Sequence, residues 1–202
     1  MSLHIYSYLA LGDSYTIGEQ VAIHESFPYQ TVQLLRDKGY LFHAAEIIAK
    51  TGWTTFELAE QLIHTKQLDK YDFVSLLIGV NNQYRGLNID EFKKEFEFLL
   101  KKSIHFADNK AEHVFVFSIP DWGITPFAKD RDTATIGKEI DEFNKAKKEI
   151  TLLHTANFIE ISQSTRAAKN DLSLLTIDQL HYSGKEYAKW ANLLMQEIIT
   201  QL

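Results

Sequence analysis

The chain has no cysteine among its 202 residues. That removes disulfides, thiolate metal sites and a cysteine nucleophile together. No apolar run approaches the roughly 20 residues needed to cross a bilayer. The N-terminal stretch is strand-like by Ile5, with no basic segment leading into an apolar one. A cytoplasmic location is expected, or one reached after loss of a signal peptide. Net charge is −6 with no long basic run, which argues against a nucleic-acid partner. There is no Gly-x-Gly-x-x-Gly, no Walker loop and no His-Glu-x-x-His, so nucleotide and zinc chemistry lack a motif and no cofactor is expected. No linker, low-complexity stretch or internal repeat divides the chain, and residues 1–202 read as a single domain. The 45% hydrophobic and 24% charged content is ordinary for a globular protein with a sizeable core.

What is present is an alternation of short apolar runs and longer helical patterns. Strands are expected at residues 6–11, 42–49, 73–78, 114–119 and 158–161. The third and fourth are nearly continuous apolar runs, the mark of strands covered on both faces and hence of a parallel sheet. Helices are expected at 26–38, with Pro28 near the start and Gly39 past the end, and at 54–65, where Thr54 and Glu57 have capping-box spacing. Others are expected at 89–106 (Asp90 as the candidate cap), 133–155 and 184–201. This alternation implies a flavodoxin-like, three-layer α/β/α sandwich around a five-stranded parallel sheet. Residues 120–133 read as one long irregular segment overhanging the carboxyl ends of the strands.

Four places fall at strand carboxyl ends. Gly12-Asp13-Ser14 closes the first apolar run, Gly52 follows the second, Gly79-Val80-Asn81 follows the third, and Asp178-Gln179-Leu180-His181 precedes the last helix. Acyl transfer wants such a set. A serine hydroxyl needs a base, a histidine needs a carboxylate to fix its tautomer, and a tetrahedral intermediate needs donors aimed at its oxyanion. Asp178 and His181 are three apart, so one tight turn can join them. Each piece also has a plainer reading. Gly-Asp-Ser is good turn chemistry, Asp-x-x-His fits a cap and a surface residue, Asn81 tolerates a left-handed turn, and Gly52 permits a tight one. The other histidines, His24, His43, His64, His105, His113 and His154, have no such company and read as surface or packing residues.

In this order the four blocks resemble the SGNH (GDSL-type) hydrolase superfamily of esterases, lipases and acylhydrolases, over essentially the whole chain. The resemblance implies a carboxylic ester hydrolase with Ser14 as nucleophile, His181 as base and Asp178 as acid. Ser14, Gly52 and Asn81 would form the oxyanion hole. Asn82 stands where the family often has Asp, Tyr182 where proline is common, and Tyr15 where the family motif has leucine. Trp53, Asn82, Trp122 and Phe127 are the expected substrate contacts, although both tryptophans also suit half-buried packing. Two alternatives lack hydrolase activity: a flavodoxin-like module holding a flavin phosphate through Ser14 and Thr16, and a glycan-binding module using Trp53 and Trp122. The expected partner is a small-molecule ester. With no long apolar insertion to act as a lid, short acyl chains are expected.

Overall fold

The computed structural model describes residues 4–202. The strands are β1 (Tyr8–Gly12), β2 (Glu46–Ala49), β3 (Phe73–Leu77), β4 (Val114–Phe117) and β5 (Asn157–Ile159). They form one parallel sheet in the order β2-β1-β3-β4-β5. Every residue of β1, β3 and β4 is buried, whereas the edge strands β2 and β5 are only partly covered. Continuous apolar runs therefore mark the strands with helices on both faces.

β2 is shorter than its sequence pattern suggests. Tyr6 and Phe42 form an isolated parallel bridge, and the ladder resumes only at Leu9 and Glu46. The partner offset changes by one residue between these points. The extra residue leaves His43 and Ala44 exposed and breaks the strand.

The helices are α1 (Ser14–Ile17), α2 (Phe27–Asp37), α3 (Thr55–His64), α4 (Val80–Tyr84), α5 (Ile89–Phe106), α6 (Thr133–Leu153), α7 (Ser162–Arg166) and α8 (Gly184–Ile199). The Thr54–Glu57 capping box forms as the spacing predicts. The cap of α5 is Asn88, which accepts from the N–H groups of Asp90 and Glu91. Asp90 therefore lies inside the first turn, where its charge suits the helix dipole. Phe92, Phe96, Leu99, Leu100, Ser103 and Phe106 form the buried stripe of α5 at helical spacing.

This strand order decides which face each helix covers. The step from β1 to β2 runs one way across the sheet, and every later step runs the other way. Right-handed crossovers then put α2 on one face and α3, α5 and α6 on the opposite face. α8 packs against α2, burying Trp190 among Phe27, Tyr15, Tyr182 and Tyr187. Chain direction switches between β1 and β3, so the loops after these two strands diverge and leave a crevice at their carboxyl ends. No described helix is long and apolar enough to cross a membrane.

Candidate active site

Ser14 sits in that crevice, at the first residue of α1. Its turn is held from beneath. Asp13 Oδ1 accepts from the Tyr15 N–H at 3.0 Å, and the Asp13 carbonyl accepts from the N–H groups of Thr16 and Ile17. Gly12 is required by close approach, because a Cβ there would fall 2.1 Å from Thr16 Oγ1 and 2.2 Å from the Leu77 carbonyl. The strand can thus turn sharply against β3 and leave Ser14 at its tip.

The Asp178–His181 turn approaches from the α8 side. His181 Nδ1 lies 2.6 Å from Asp178 Oδ2. The other carboxylate oxygen accepts from the Leu180 N–H (2.9 Å), the His181 N–H (3.0 Å) and the Thr176 hydroxyl (2.8 Å). Partial burial disfavours the Asp178 charge, but these hydrogen bonds, led by the one from the His181 ring, outweigh it and hold the carboxyl down at about 2. An ionised carboxylate only accepts, so His181 Nδ1 carries the hydrogen and Nε2 offers its lone pair. The next residue, Tyr182, is fully buried against Trp190, which anchors the turn in the core. The Tyr15 ring meets the His181 ring edge-on at 5.6 Å.

Two loops face this turn. Gly52 has φ of +83°, a left-handed conformation that glycine adopts without strain. Its carbonyl accepts from Arg85 Nη2 at 2.5 Å, and Asn81 Nδ2 donates to the Trp53 carbonyl at 3.0 Å. The loops after β2 and β3 are therefore clasped by two bonds. Among the described residues, neither the Ser14 nor the Gly52 N–H is used in a hydrogen bond. Asn81 keeps a second amide hydrogen.

Ser14, Gly52, Asn81 and His181 line one cavity of about 190 Å³, together with Tyr15, Thr51, Val80, Tyr84, Trp122, Phe127 and Leu180. No hydrogen bond joins the Ser14 hydroxyl to His181 Nε2 among the described residues. Such contacts are often loose in an empty site and tighten when a reactant arrives. Residues 120–133 fold into two short 3-10 turns, Trp122–Ile124 and Pro126–Ala128. These bring Trp122 and Phe127 to the cavity, where Trp122 packs edge-on against Tyr84 at 5.2 Å and Phe127 at 6.2 Å.

Two expected substrate contacts are corrected. Asn82 is buried outside the cavity, with Oδ1 accepting from the Thr55 N–H at 3.0 Å and Nδ2 donating to the Thr55 hydroxyl at 2.7 Å. Its amide ties α4 to the start of α3. Trp53 packs partly buried against the core, is not among the residues that line the cavity, and accepts from Asn81 Nδ2 through its backbone carbonyl. The flavin alternative loses its phosphate contact, because Thr16 is buried and its hydroxyl is directed at the Leu77 carbonyl.

None of the other six histidines named above lines this cavity. His113 stacks on Phe73 and bonds the Asp72 carbonyl, and His154 pairs with Glu97. No group of three or more potential ligands could hold a metal ion among the described residues. Sequence reasoning missed Thr176 and Leu180, which bond Asp178 within its own turn, and Tyr84 and Arg85, whose contacts with Trp122 and Gly52 reach across the fold.

A comparison with curated proteins finds no match. Solved structures resemble the chain over nearly its full length. A lipase/acylhydrolase from Enterococcus faecalis superposes with a TM-score of 0.75 at 22% identity, covering 97% of both chains. The acetylxylan esterase Axe2 from Geobacillus stearothermophilus gives 0.75 at 17%, covering 98% of this chain and 96% of its own. The psychrotrophic esterase EstA from a Pseudoalteromonas species gives 0.72 at 17%, covering 97% and 98% respectively. These likenesses establish the SGNH-type fold. The model of the GDSL-like lipase/acylhydrolase family matches residues 10–189, a span that runs from β1 through the Asp178–His181 turn into α8, and the chain belongs to that family.

Proposed function

We propose that this protein is a serine hydrolase of small carboxylic esters with short acyl chains. The observation that carries the reading is the 2.6 Å Asp178–His181 contact beside Ser14 in a single cavity. Ser14 Oγ attacks the ester carbonyl carbon while His181 Nε2 takes the hydroxyl proton. Asp178, ionised throughout the neutral range, steadies the imidazolium that forms. The N–H groups of Ser14 and Gly52 and the free amide hydrogen of Asn81 receive the oxyanion. Collapse of the intermediate breaks the bond to the alcohol oxygen, which leaves with the proton from His181. Water then repeats the cycle on the acyl-serine: its oxygen attacks, its proton passes to His181, and Ser14 departs with that proton.

The short-acyl preference follows from the walls. About 190 Å³ lies below the roughly 300–1,000 Å³ of sites for drug-sized ligands. Added methylenes gain about 0.8 kcal/mol each only where a wall exists to bury them. The family includes acylhydrolases, and one structural relative is an acetylxylan esterase, so acetyl esters lie within the proposed range. The test is kcat/KM for p-nitrophenyl acetate, butyrate, octanoate and palmitate, with fluorophosphonate labelling of the serine. Activity peaking at acetate or butyrate, label on Ser14, and a loss in Ser14→Ala of about 10³ or more in kcat are expected. Label on another serine, or a maximum at octanoate or longer, overturns the assignment.

A further inference from the structure

The cavity lies at the carboxyl ends of the strands, lined by the loops that follow them. His181 comes from the α8 face, whereas α6 packs against α4 and the Trp122 turn on the other. If Ser14 and His181 act as proposed above, the leaving alcohol must face His181 to receive its proton. Val80, Tyr84 and Trp122 supply an apolar part of the lining for the acyl group, and the Trp122 segment meets the His181 turn through the Phe127 N–H on the Gln179 carbonyl at 3.3 Å.

Trp122 is held there by a two-step relay. Its Nε1–H donates to Gln83 Oε1 at 2.7 Å, and Gln83 Nε2 donates to Glu139 Oε2 at 2.8 Å. The orientation is forced at both ends. An indole N–H can only donate, and a carboxylate facing an amide NH₂ can only accept, so the Gln83 amide fits in one direction. Trp122 and Gln83 are 4% and 5% exposed, and a buried indole N–H without a partner is costly. Gln83 does not line the cavity, and Glu139 belongs to α6, beyond it.

We propose that the Glu139–Gln83–Trp122 relay sets the depth of the acyl pocket by pinning the indole as its end wall. This makes Gln83 and Glu139 positioning residues that determine acyl-length specificity, and it rests on the ester-hydrolase reading above. Without the relay, the indole is held by packing against Tyr84 and Phe127 alone, and its displacement lengthens the pocket. Glu139 anchors the far end from a partly exposed position on α6, so its replacement spares the core.

The experiment compares kcat/KM for p-nitrophenyl acetate and octanoate in the wild type, Gln83→Met, Glu139→Ala and Glu139→Gln. Each protein is also titrated with a small fluorophosphonate. Gln83→Met and Glu139→Ala are expected to raise the octanoate-to-acetate ratio about tenfold, the scale of one or more methylenes finding a wall. The gain should lie in KM for octanoate, with the rate of Ser14 labelling held within about threefold. Glu139→Gln keeps the wild-type ratio, because its amide oxygen accepts the same N–H. Should Gln83→Met fail to fold, Glu139→Ala and Glu139→Gln decide alone. Ser14 labelling with an unchanged ratio in Glu139→Ala overturns the relay and leaves the esterase. A uniform loss on both esters does the same. A wild-type protein that takes no label and cleaves no ester overturns the function itself, and the relay with it.

Discussion

The Asp178 carboxylate accepts four hydrogen bonds, while the carboxyl group of Asp13, one residue from the serine, accepts one. At Asp178, three donors meet one oxygen and the His181 ring meets the other. Asp13 has only the Tyr15 N–H, on Oδ1, and its other oxygen is buried without a partner. Burial pushes Asp13 up to about 7, against the pull of the Tyr15 N–H and the Lys147 charge. Lys147 is fully buried on α6, donates to the Ile78 carbonyl at 2.8 Å and lies 5.5 Å from the Phe96 ring. Burial pushes it down to about 7, and the charges of Asp13 and Glu160 act in the opposite sense. Two carboxylates on either side of one serine thus follow opposite rules. Hydrogen bonding to the charged form governs one and desolvation the other. Only the first is a permanent charge, which is what an imidazolium forming beside it requires.

The sharpest way to break this comparison is to neutralise each carboxylate in turn. Asp178→Asn keeps the shape and removes the charge. An Asn presenting NH₂ to His181 favours the wrong ring tautomer, with the lone pair on Nδ1. A fall in kcat of about 10³–10⁴ is expected, with KM for a short ester nearly unchanged. Asp178 contributes stability above its unfolded value near 4, and this is lost as pH falls through about 2. It should therefore add no acid limb to the kcat/KM profile above pH 3. Retained kcat in Asp178→Asn would mean that His181 is oriented by something else.

The next effect tests the donors opposite the base. Asn81 spends one amide hydrogen on the Trp53 carbonyl and has one left. Asn81→Ala should lower kcat by roughly 10²–10³ and leave KM within a few-fold, as loss of one oxyanion donor does. It also releases one of the two bonds that clasp the loops after β2 and β3. Arg85→Met separates these effects, because it releases the other clasp bond, from Arg85 Nη2 to the Gly52 carbonyl, and leaves the Asn81 donor in place. A rise in KM with kcat intact would make Asn81 a ground-state binding residue.

The sequence exposes the sheet and the chain positions of the site more clearly than it exposes what holds them. Strands β3 and β4 announce themselves because burial on both faces leaves Ser75 as the one polar residue in the two runs. The range 89–106 is recovered in full as α5 because eighteen residues give the 3.6-residue period room to repeat. Helices α1 and α4, of four and five residues, carry no readable period. Asp178 and His181 are legible as a pair because their contact is local. Trp122, Gln83 and Glu139 are not, since their bonds span 39 and 56 residues. Asn82 reads as a site residue because it adjoins Asn81, yet a helical step of about 100° directs neighbouring side chains apart. Asp13 reads as turn chemistry, and its burial above Lys147 depends on α6, more than a hundred residues away.

The smallest effect is the most discriminating for that buried carboxylate. Asp13→Asn resembles the protonated acid, and its Oδ1 can still accept from the Tyr15 N–H. Since Asp13 takes no part in the proposed proton path, kcat should stay within about threefold. Stability is where the substitution shows. An acid whose folded value is raised contributes stability that is complete below its unfolded value near 4 and is lost as pH rises through about 7, because the unfolded chain gives up its proton first. Lys147 runs the other way: its contribution is complete above its unfolded value of about 10.4 and is lost as pH falls through about 7. The wild type therefore carries both penalties near neutrality, while Asp13→Asn sheds the first. Unfolding midpoints measured from pH 4 to 8 should start close together and separate as pH rises, with the variant increasingly the more stable. A gap that stays constant across that range would show that Asp13 does not titrate within it. A variant that grows less stable with pH would show that Asp13 is held as a charge by Lys147, which would make the two flanking carboxylates alike rather than opposite.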